Sequence, residues 1–128
     1  MGFFNRLFSS SETSSKNTFD WIPLNDLQQL EEILTHSYEK IVVIFKHSTR
    51  CAISRFALNR FENEFNFPKE HIELFYLDLL THRDISNEIA RKFEIEHQSP
   101  QILVIKNRKV VYVASHENIN ARILERFV

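Results

Sequence analysis

Glycine is almost missing from this sequence. Gly2 is the only glycine among 128 residues, and there are three prolines. Glycine-rich phosphate loops and dinucleotide-binding motifs need several glycines, so nucleotide chemistry of those kinds is excluded. Turns must instead be formed by Asn, Asp, Ser or Pro, or by other residues held in strained backbone conformations.

Cysteine is equally scarce. Cys51 is the only cysteine, which excludes an internal disulfide framework and a structural zinc site built from cysteines. A single free thiol agrees with a reducing compartment. The histidines other than His47 have no spacing typical of metal ligands. We therefore expect neither a metal nor a cofactor.

A charge excess and a long apolar segment are also absent. The formal net charge is -1, which gives no indication of a nucleic-acid or anionic-lipid partner. The longest strongly apolar run, IVVIF at 41–45, is far shorter than the roughly 20 residues of a membrane-spanning helix. The sequence therefore predicts a cytoplasmic protein with no membrane span.

What remains is a chain with a short tail and one regular domain. The polar run SSSETSSKN at 9–17 predicts that residues 1–17 form a flexible N-terminal tail and Ser-rich linker. Residues 18–128 are enough for one domain with its own core. Apolar spacing in that domain predicts, in order, a helix around 27–34, a strand at 40–47, a helix from about Cys51 to before Pro68, a strand at 71–80, a helix at 81–93, an antiparallel hairpin turning at 107–108, and a closing helix around 119–127.

This order of elements predicts an α/β fold. Strands separated by helices form right-handed parallel crossovers, and the late hairpin adds an antiparallel edge. We predict a four-stranded mixed sheet with helices on both faces, in the thioredoxin-like arrangement. In the second helix, Ile53, Ala57, Phe61 and Phe65 repeat every four residues, so all four are predicted to face the core.

The single thiol lies between an apolar strand and a helix, within KHSTRCAISRFA at 46–57. Unpaired backbone N–H groups and the helix dipole at such a position stabilise a thiolate, which is the nucleophilic form. Three residues later, Ser54 stands where a dithiol enzyme has its second cysteine. Chemistry at Cys51 must then be monothiol, with release by an outside thiol. Ser54 is able to hydrogen-bond to the thiolate.

A second motif is SPQ, in which Pro100 comes directly before a strand. Thioredoxin-like proteins carry a cis-proline at this place, facing the reactive thiol. We therefore predict a cis Ser99–Pro100 bond. It would turn the Ser99 backbone outward, where its N–H and C=O groups meet an extended substrate.

The stretch FKHSTRCAIS, together with SPQ and the hairpin, resembles the YtxJ-type (BrxC-like) monothiol bacilliredoxins. The resemblance covers most of 18–128 and implies a thioredoxin fold. It also implies removal of bacillithiol from S-bacillithiolated client proteins, without metal or nucleotide. The family's thiol falls on Cys51, its motif serine on Ser54 and its cis-proline on Pro100. This sequence departs from the family motif at Ala52, where the family has proline, and at Arg50, where it has threonine.

The resemblance also suggests partners and contacts. Bacillithiol would be a thiol co-substrate, and bacillithiol or a second redoxin would regenerate Cys51. We expect Arg50 and Ser99 to contact the small thiol's carboxylates and amide, with Thr49 and Pro100 beside them.

Other interpretations of the same residues stay open. A lone cysteine is more often a small buried hydrophobe. Serine is common in the first turn of any helix, so Ser54 by itself does not indicate a function. His47, at a strand end, is predicted to be a solvated loop residue rather than half of a Cys–His pair. A monothiol glutaredoxin-type protein and a thioredoxin-like interaction or redox-sensing module are the alternative functions.

Overall fold

The computed structural model describes residues 19–128, and the predicted tail and linker at 1–17 lie outside the described residues. Five strands alternate with three helices and two short 3₁₀ helices. The strands are β1 (Ile22–Pro23), β2 (Ile41–His47), β3 (Ile72–Asp78), β4 (Gln101–Lys106) and β5 (Lys109–Ser115); the helices are α1 (Gln29–His36), α2 (Ala52–Glu64) and α3 (Arg83–Phe93); the 3₁₀ helices are His116–Asn118 and Ala121–Arg126.

The strands form one mixed sheet in the order β1-β3-β2-β4-β5. β3 is parallel to both β1 and β2, whereas β4 is antiparallel to β2 and to β5. The predicted thioredoxin-like α/β fold is confirmed. The predicted number of four strands is wrong, because Ile22 and Pro23 pair with Phe75 and Tyr76 as a fifth strand. Two residues are too short to leave a periodic pattern in a sequence.

Two apolar layers cover the sheet. One face packs against α2 and the closing 3₁₀ segment, through residues such as Phe45, Phe61 and Leu124. The opposite face packs against α1 and α3, through residues such as Ile33 and Ile89. β2 lies between β3 and β4 and all seven of its residues are buried. The continuous apolar run in the sequence reflects this double coverage.

Two details of the helices differ from the prediction. The closing segment is a 3₁₀ helix over Ala121–Arg126, which places Ala121 and Leu124 in the core. In α2, Ile53 is 63% exposed, while Ser54 is fully buried in its place. The buried face of α2 therefore begins with a hydroxyl: Ser54 lies three residues before Ala57 and Ile53 lies four before it, and both spacings place a side chain on nearly the same side of a helix.

The scarcity of glycine has a visible consequence in the turns. In the described part of the chain, four non-glycine residues have positive φ: Glu94, Asn107, Arg108 and His116. The β4–β5 hairpin turns at Asn107 and Arg108, and its backbone N–H groups donate to the C=O and Oγ of Ser37 at distances of 2.8 Å. These two bonds to the end of α1 stabilise a turn whose positive φ angles are usually adopted by glycine.

Candidate active site around Cys51

Cys51 is the N-cap of α2. Its backbone is extended, with φ -105° and ψ 122°, and the residue is partly exposed with a free thiol. Its N–H donates to the Ser48 carbonyl at 3.1 Å, and its own carbonyl accepts the Arg55 N–H at 3.1 Å. The thiol therefore stands at the positive end of a 13-residue helix, as the sequence predicts.

Ser54 lies one turn into α2 and is fully buried. Its Oγ accepts the Ser48 N–H at 3.0 Å and lies 2.7 Å from Nδ1 of His47. Among the described residues, no hydrogen bond joins Ser54 to the Cys51 sulfur. The Ser54 hydroxyl thus connects α2 to His47 at the end of β2 and to Ser48 in the loop before Cys51.

His47 is where the sequence-based interpretation fails. The structure places this residue at the end of β2 with only 3% of its surface exposed, so it is not a solvated loop histidine. Burial lowers the pKa of His47 below its ordinary 6.5; Asp78, its partner in the β2–β3 register, opposes this and Arg55 adds to it. His47 is a neutral ring at physiological pH, bonded to Ser54.

A signal for this position was present in the sequence. Side chains alternate along a strand, so His47 shares a face with Val43 and Phe45, both of which pack beneath α2. The prediction placed His47 at the end of the strand but assigned it to solvent, although this alternation puts it on the face that packs beneath α2. The Tyr76 ring, 5.4 Å away between centroids, completes the enclosure of His47.

Ser99 and Pro100 lie at the same edge of the sheet. The bond between them is cis, as predicted. Gln101 pairs with Lys46 in the antiparallel β2–β4 register, which brings Pro100 beside the end of β2 and the start of the loop that carries Cys51. Pro100 is buried, and its carbonyl accepts the His116 N–H at 3.0 Å. The Ser99 Oγ is buried and has no hydrogen-bond partner among residues 19–128.

Thr49 and Arg50 are exposed on the loop before Cys51. Together with Leu80 and Thr81 they line a pocket of about 450 Å³ at the carboxyl ends of β2 and β3. The Thr49 carbonyl accepts a hydrogen bond from the Arg55 guanidinium at 3.2 Å.

On the opposite face of the sheet lies a polar cluster that the sequence did not reveal. Lys46 is fully buried, with Nζ 3.1 Å from Nδ1 of His97, and the Ser86 hydroxyl lies 3.0 Å from the same nitrogen. Burial lowers the pKa of Lys46 from 10.5 to about 8. Burial, Lys46 and Arg83 all lower the pKa of His97.

Within residues 19–128, no three His, Cys, Asp or Glu side chains come together in a group suited to a metal ion. The residues around Cys51 instead offer a thiol, a hydroxyl, an imidazole and main-chain groups, which suit thiol exchange.

Comparison with known proteins identifies the family. The family model for monothiol bacilliredoxin BrxC matches residues 22–124, which include both Cys51 and Pro100. The chain belongs to the monothiol bacilliredoxin family. The resemblance seen in the sequence is thereby confirmed, and with it a thiol redox function.

Solved structures similar to this chain have the thioredoxin fold. One, assigned as an oxidoreductase with a thioredoxin fold, is 32% identical, has a TM-score of 0.70, and the match covers 82% of this chain and 90% of the other. Schistosoma mansoni thioredoxin is 25% identical with a TM-score of 0.62, covering 84% and 95%. Malassezia sympodialis thioredoxin is 18% identical with a TM-score of 0.62, covering 84% and 86%.

None of the helices in residues 19–128 is long and apolar enough to span a membrane.

Proposed function

We propose that this bacilliredoxin removes bacillithiol from S-bacillithiolated client proteins by monothiol exchange at Cys51. The observation that carries the proposal is the contrast between two positions three residues apart. Cys51 is a partly exposed thiol at a helix N-terminus, whereas Ser54 is buried and bonded to His47 and the Ser48 N–H. The only thiol in the chain is therefore presented to solvent without a neighbour able to resolve a disulfide.

The exchange conserves the number of disulfides. The Cys51 thiolate attacks the bacillithiol sulfur of the client mixed disulfide, and the client sulfur leaves as a thiolate that takes a proton from water. Cys51 then holds bacillithiol as a mixed disulfide. A second thiol, as its thiolate, attacks the bacillithiol sulfur of that disulfide, forms a new disulfide with bacillithiol and releases Cys51 in its reduced form. Free bacillithiol or another redoxin would supply this thiol in the cytoplasm.

The surroundings of Cys51 suit such a substrate. Arg50 and Thr49 line the pocket beside the thiol loop, where a guanidinium would bind the carboxylates of the small thiol. Ser99 forms no backbone hydrogen bond with any other described residue, so its N–H and C=O remain for main-chain bonds to a bound substrate. Pro100 fixes the position of this segment beside the end of β2.

The test is a single-turnover assay with a peptide carrying one cysteine as its bacillithiol mixed disulfide. Wild type should release the peptide thiol and gain one bacillithiol mass, located on Cys51. Cys51→Ala should do neither. Ser54→Ala should remain active but be slower, because the loop loses its tie to α2.

The same peptide blocked with glutathione is the control for the identity of the small thiol. Faster release from the bacillithiol form than from the glutathione form supports bacillithiol as the substrate. Equal rates would mean that the protein exchanges thiols without preference for bacillithiol. If Cys51→Ala releases the peptide as fast as wild type, Cys51 is not the nucleophile. The chain would then be an interaction or redox-sensing module.

A further inference from the structure

His47 and Ser54 form a buried pair whose hydrogen-bond direction follows from counting protons. The Ser54 Oγ accepts the Ser48 N–H, and no described residue other than His47 lies within hydrogen-bond distance of this oxygen as a possible acceptor of its proton. A neutral imidazole has one acceptor nitrogen. The Ser54 hydroxyl proton has an acceptor when the O–H donates to Nδ1 of His47, which puts the ring proton on Nε2.

Protonation of His47 reverses this bond. Both ring nitrogens of an imidazolium are donors, so Nδ1–H must then donate to the Ser54 Oγ. The hydroxyl proton of Ser54 loses its acceptor and has to turn elsewhere. Cys51 and Ser54 occupy the N-cap and third positions of α2, and residues three apart lie on the same side of a helix. The Cys51 sulfur is the nearby group that gains most from a donor, since it carries charge as a thiolate.

We propose that His47 is a positioning residue for the chemistry of Cys51: it sets the direction of the Ser54 hydroxyl, and in its protonated form turns that hydroxyl toward the Cys51 sulfur. The thiolate then gains a hydrogen bond from Ser54, and the positive charge of the His47 imidazolium lies on the other side of that hydroxyl. The inference rests on the proposed role of Cys51 as nucleophile. It adds that protonated His47 helps to keep Cys51 in the thiolate form at low pH.

The charges around His47 define where the effect should appear. Asp78 and Tyr76 face the ring from β3, Arg55 faces it from α2, and Phe45 precedes it on β2. Asp78 is the only one of these that favours the imidazolium. Because burial dominates and lowers the pKa of His47, the reversal takes place on the acid side of 6.5.

The test uses alkylation of Cys51 by iodoacetamide between pH 5 and 9, which reports thiolate reactivity and needs no bacillithiol. His47→Asn keeps a hydrogen-bonding group near the position of Nδ1 but does not titrate. For each protein, the rate constant at pH 5.5 is divided by the rate constant at pH 8.5. This ratio should be about three- to tenfold larger for wild type than for His47→Asn. In a Ser54→Ala background the effect of His47→Asn should shrink to below about twofold.

A merely structural His47 gives a different result. His47→Asn would then change the rate by one factor at every pH, and that outcome would overturn the proposal. Circular dichroism and the unfolding midpoint check that each variant folds. If His47→Asn does not fold, Ser54→Ala is the test. The proposal requires that this variant, too, has a lower ratio of the alkylation rate at pH 5.5 to that at pH 8.5 than wild type. A negative bacillithiol assay with this pH profile intact would count against the substrate and not against His47.

Discussion

The Nζ of Lys46 lies 3.1 Å from Nδ1 of His97, on the face of the sheet opposite to His47. No carboxylate neutralises this fully buried lysine among the described residues: it forms none of the ion pairs found there. Its pKa is lowered to about 8 by burial, so Lys46 remains mostly charged at pH 7 inside the core. An unpaired buried charge costs free energy that the fold must recover elsewhere.

Replacing this lysine by an apolar residue of similar length should therefore stabilise the protein. We expect Lys46→Met to raise the free energy of unfolding at pH 7 by about 1–3 kcal/mol. His97 is not left unpaired, because the Ser86 hydroxyl also bonds to Nδ1. Urea unfolding measures the change, and the exposed Lys109→Met serves as the matched control, with an effect within about 0.5 kcal/mol.

The pH dependence gives a second check on Lys46. The folded pKa of about 8 is below the ordinary 10.5, so between these values the unfolded chain binds more protons and stability rises with pH. The charge penalty is complete below pH 8 and disappears as pH rises through this window. Wild type should gain stability relative to Lys46→Met from pH 8 to 10. A constant difference would show that Lys46 is not the titrating group.

Ser54→Cys should convert the site from monothiol to dithiol chemistry. The new thiol would lie one helical turn from Cys51, at the spacing of a dithiol oxidoreductase. After exchange we expect release of bacillithiol and loss of two hydrogen atoms from the protein mass, instead of an accumulating adduct. Mass spectrometry of the intact protein measures this.

The same substitution has a cost in stability. The Ser48 N–H and Nδ1 of His47 lose their oxygen partner, which should lower the free energy of unfolding by about 1–2 kcal/mol. Persistence of the bacillithiol adduct in a folded Ser54→Cys protein would mean that position 54 cannot reach the Cys51 sulfur.

Arg50→Ala should weaken recognition of the anionic small thiol. We expect kcat/KM for the bacillithiol peptide to fall about three- to tenfold. The same peptide blocked with uncharged 2-hydroxyethanethiol should be affected less, because it lacks carboxylates. Raising the salt concentration should reduce the difference. The exposed Arg126→Ala in the closing 3₁₀ helix is the control, and an equal loss there would point to a general charge effect.

Glu94→Gly should stabilise the fold through the backbone. Glu94 ends α3 in the left-handed conformation, with φ 54° and ψ 49°, where glycine avoids the steric penalty of a Cβ. We expect a gain of roughly 0.5–1 kcal/mol in the free energy of unfolding. Glu96→Gly, at a position without positive φ, is the control and should be neutral or destabilising. Equal effects of both substitutions would contradict the argument.

Local patterns were sufficient for the fold and for the thiol position. The apolar run of β2, the helix beginning at Cys51 and the proline before β4 each occupy a short stretch of chain, and their order permits few topologies. Ser54 was found by its spacing from Cys51 alone. The short strand at Ile22 and Pro23 escaped prediction because its pairing partners, Phe75 and Tyr76, are more than fifty positions away.

What the sequence determined by itself is thus the order of elements, the single thiol at a helix N-terminus, and the absence of a resolving cysteine. Only the tertiary structure decided the state of the polar residues around that thiol. His47 and Lys46 are adjacent in sequence, yet β2 directs their side chains to opposite faces, one bonded to Ser54 and the other to His97. Burial between two packed layers sets their protonation, because desolvation depends on what the rest of the chain places around each group.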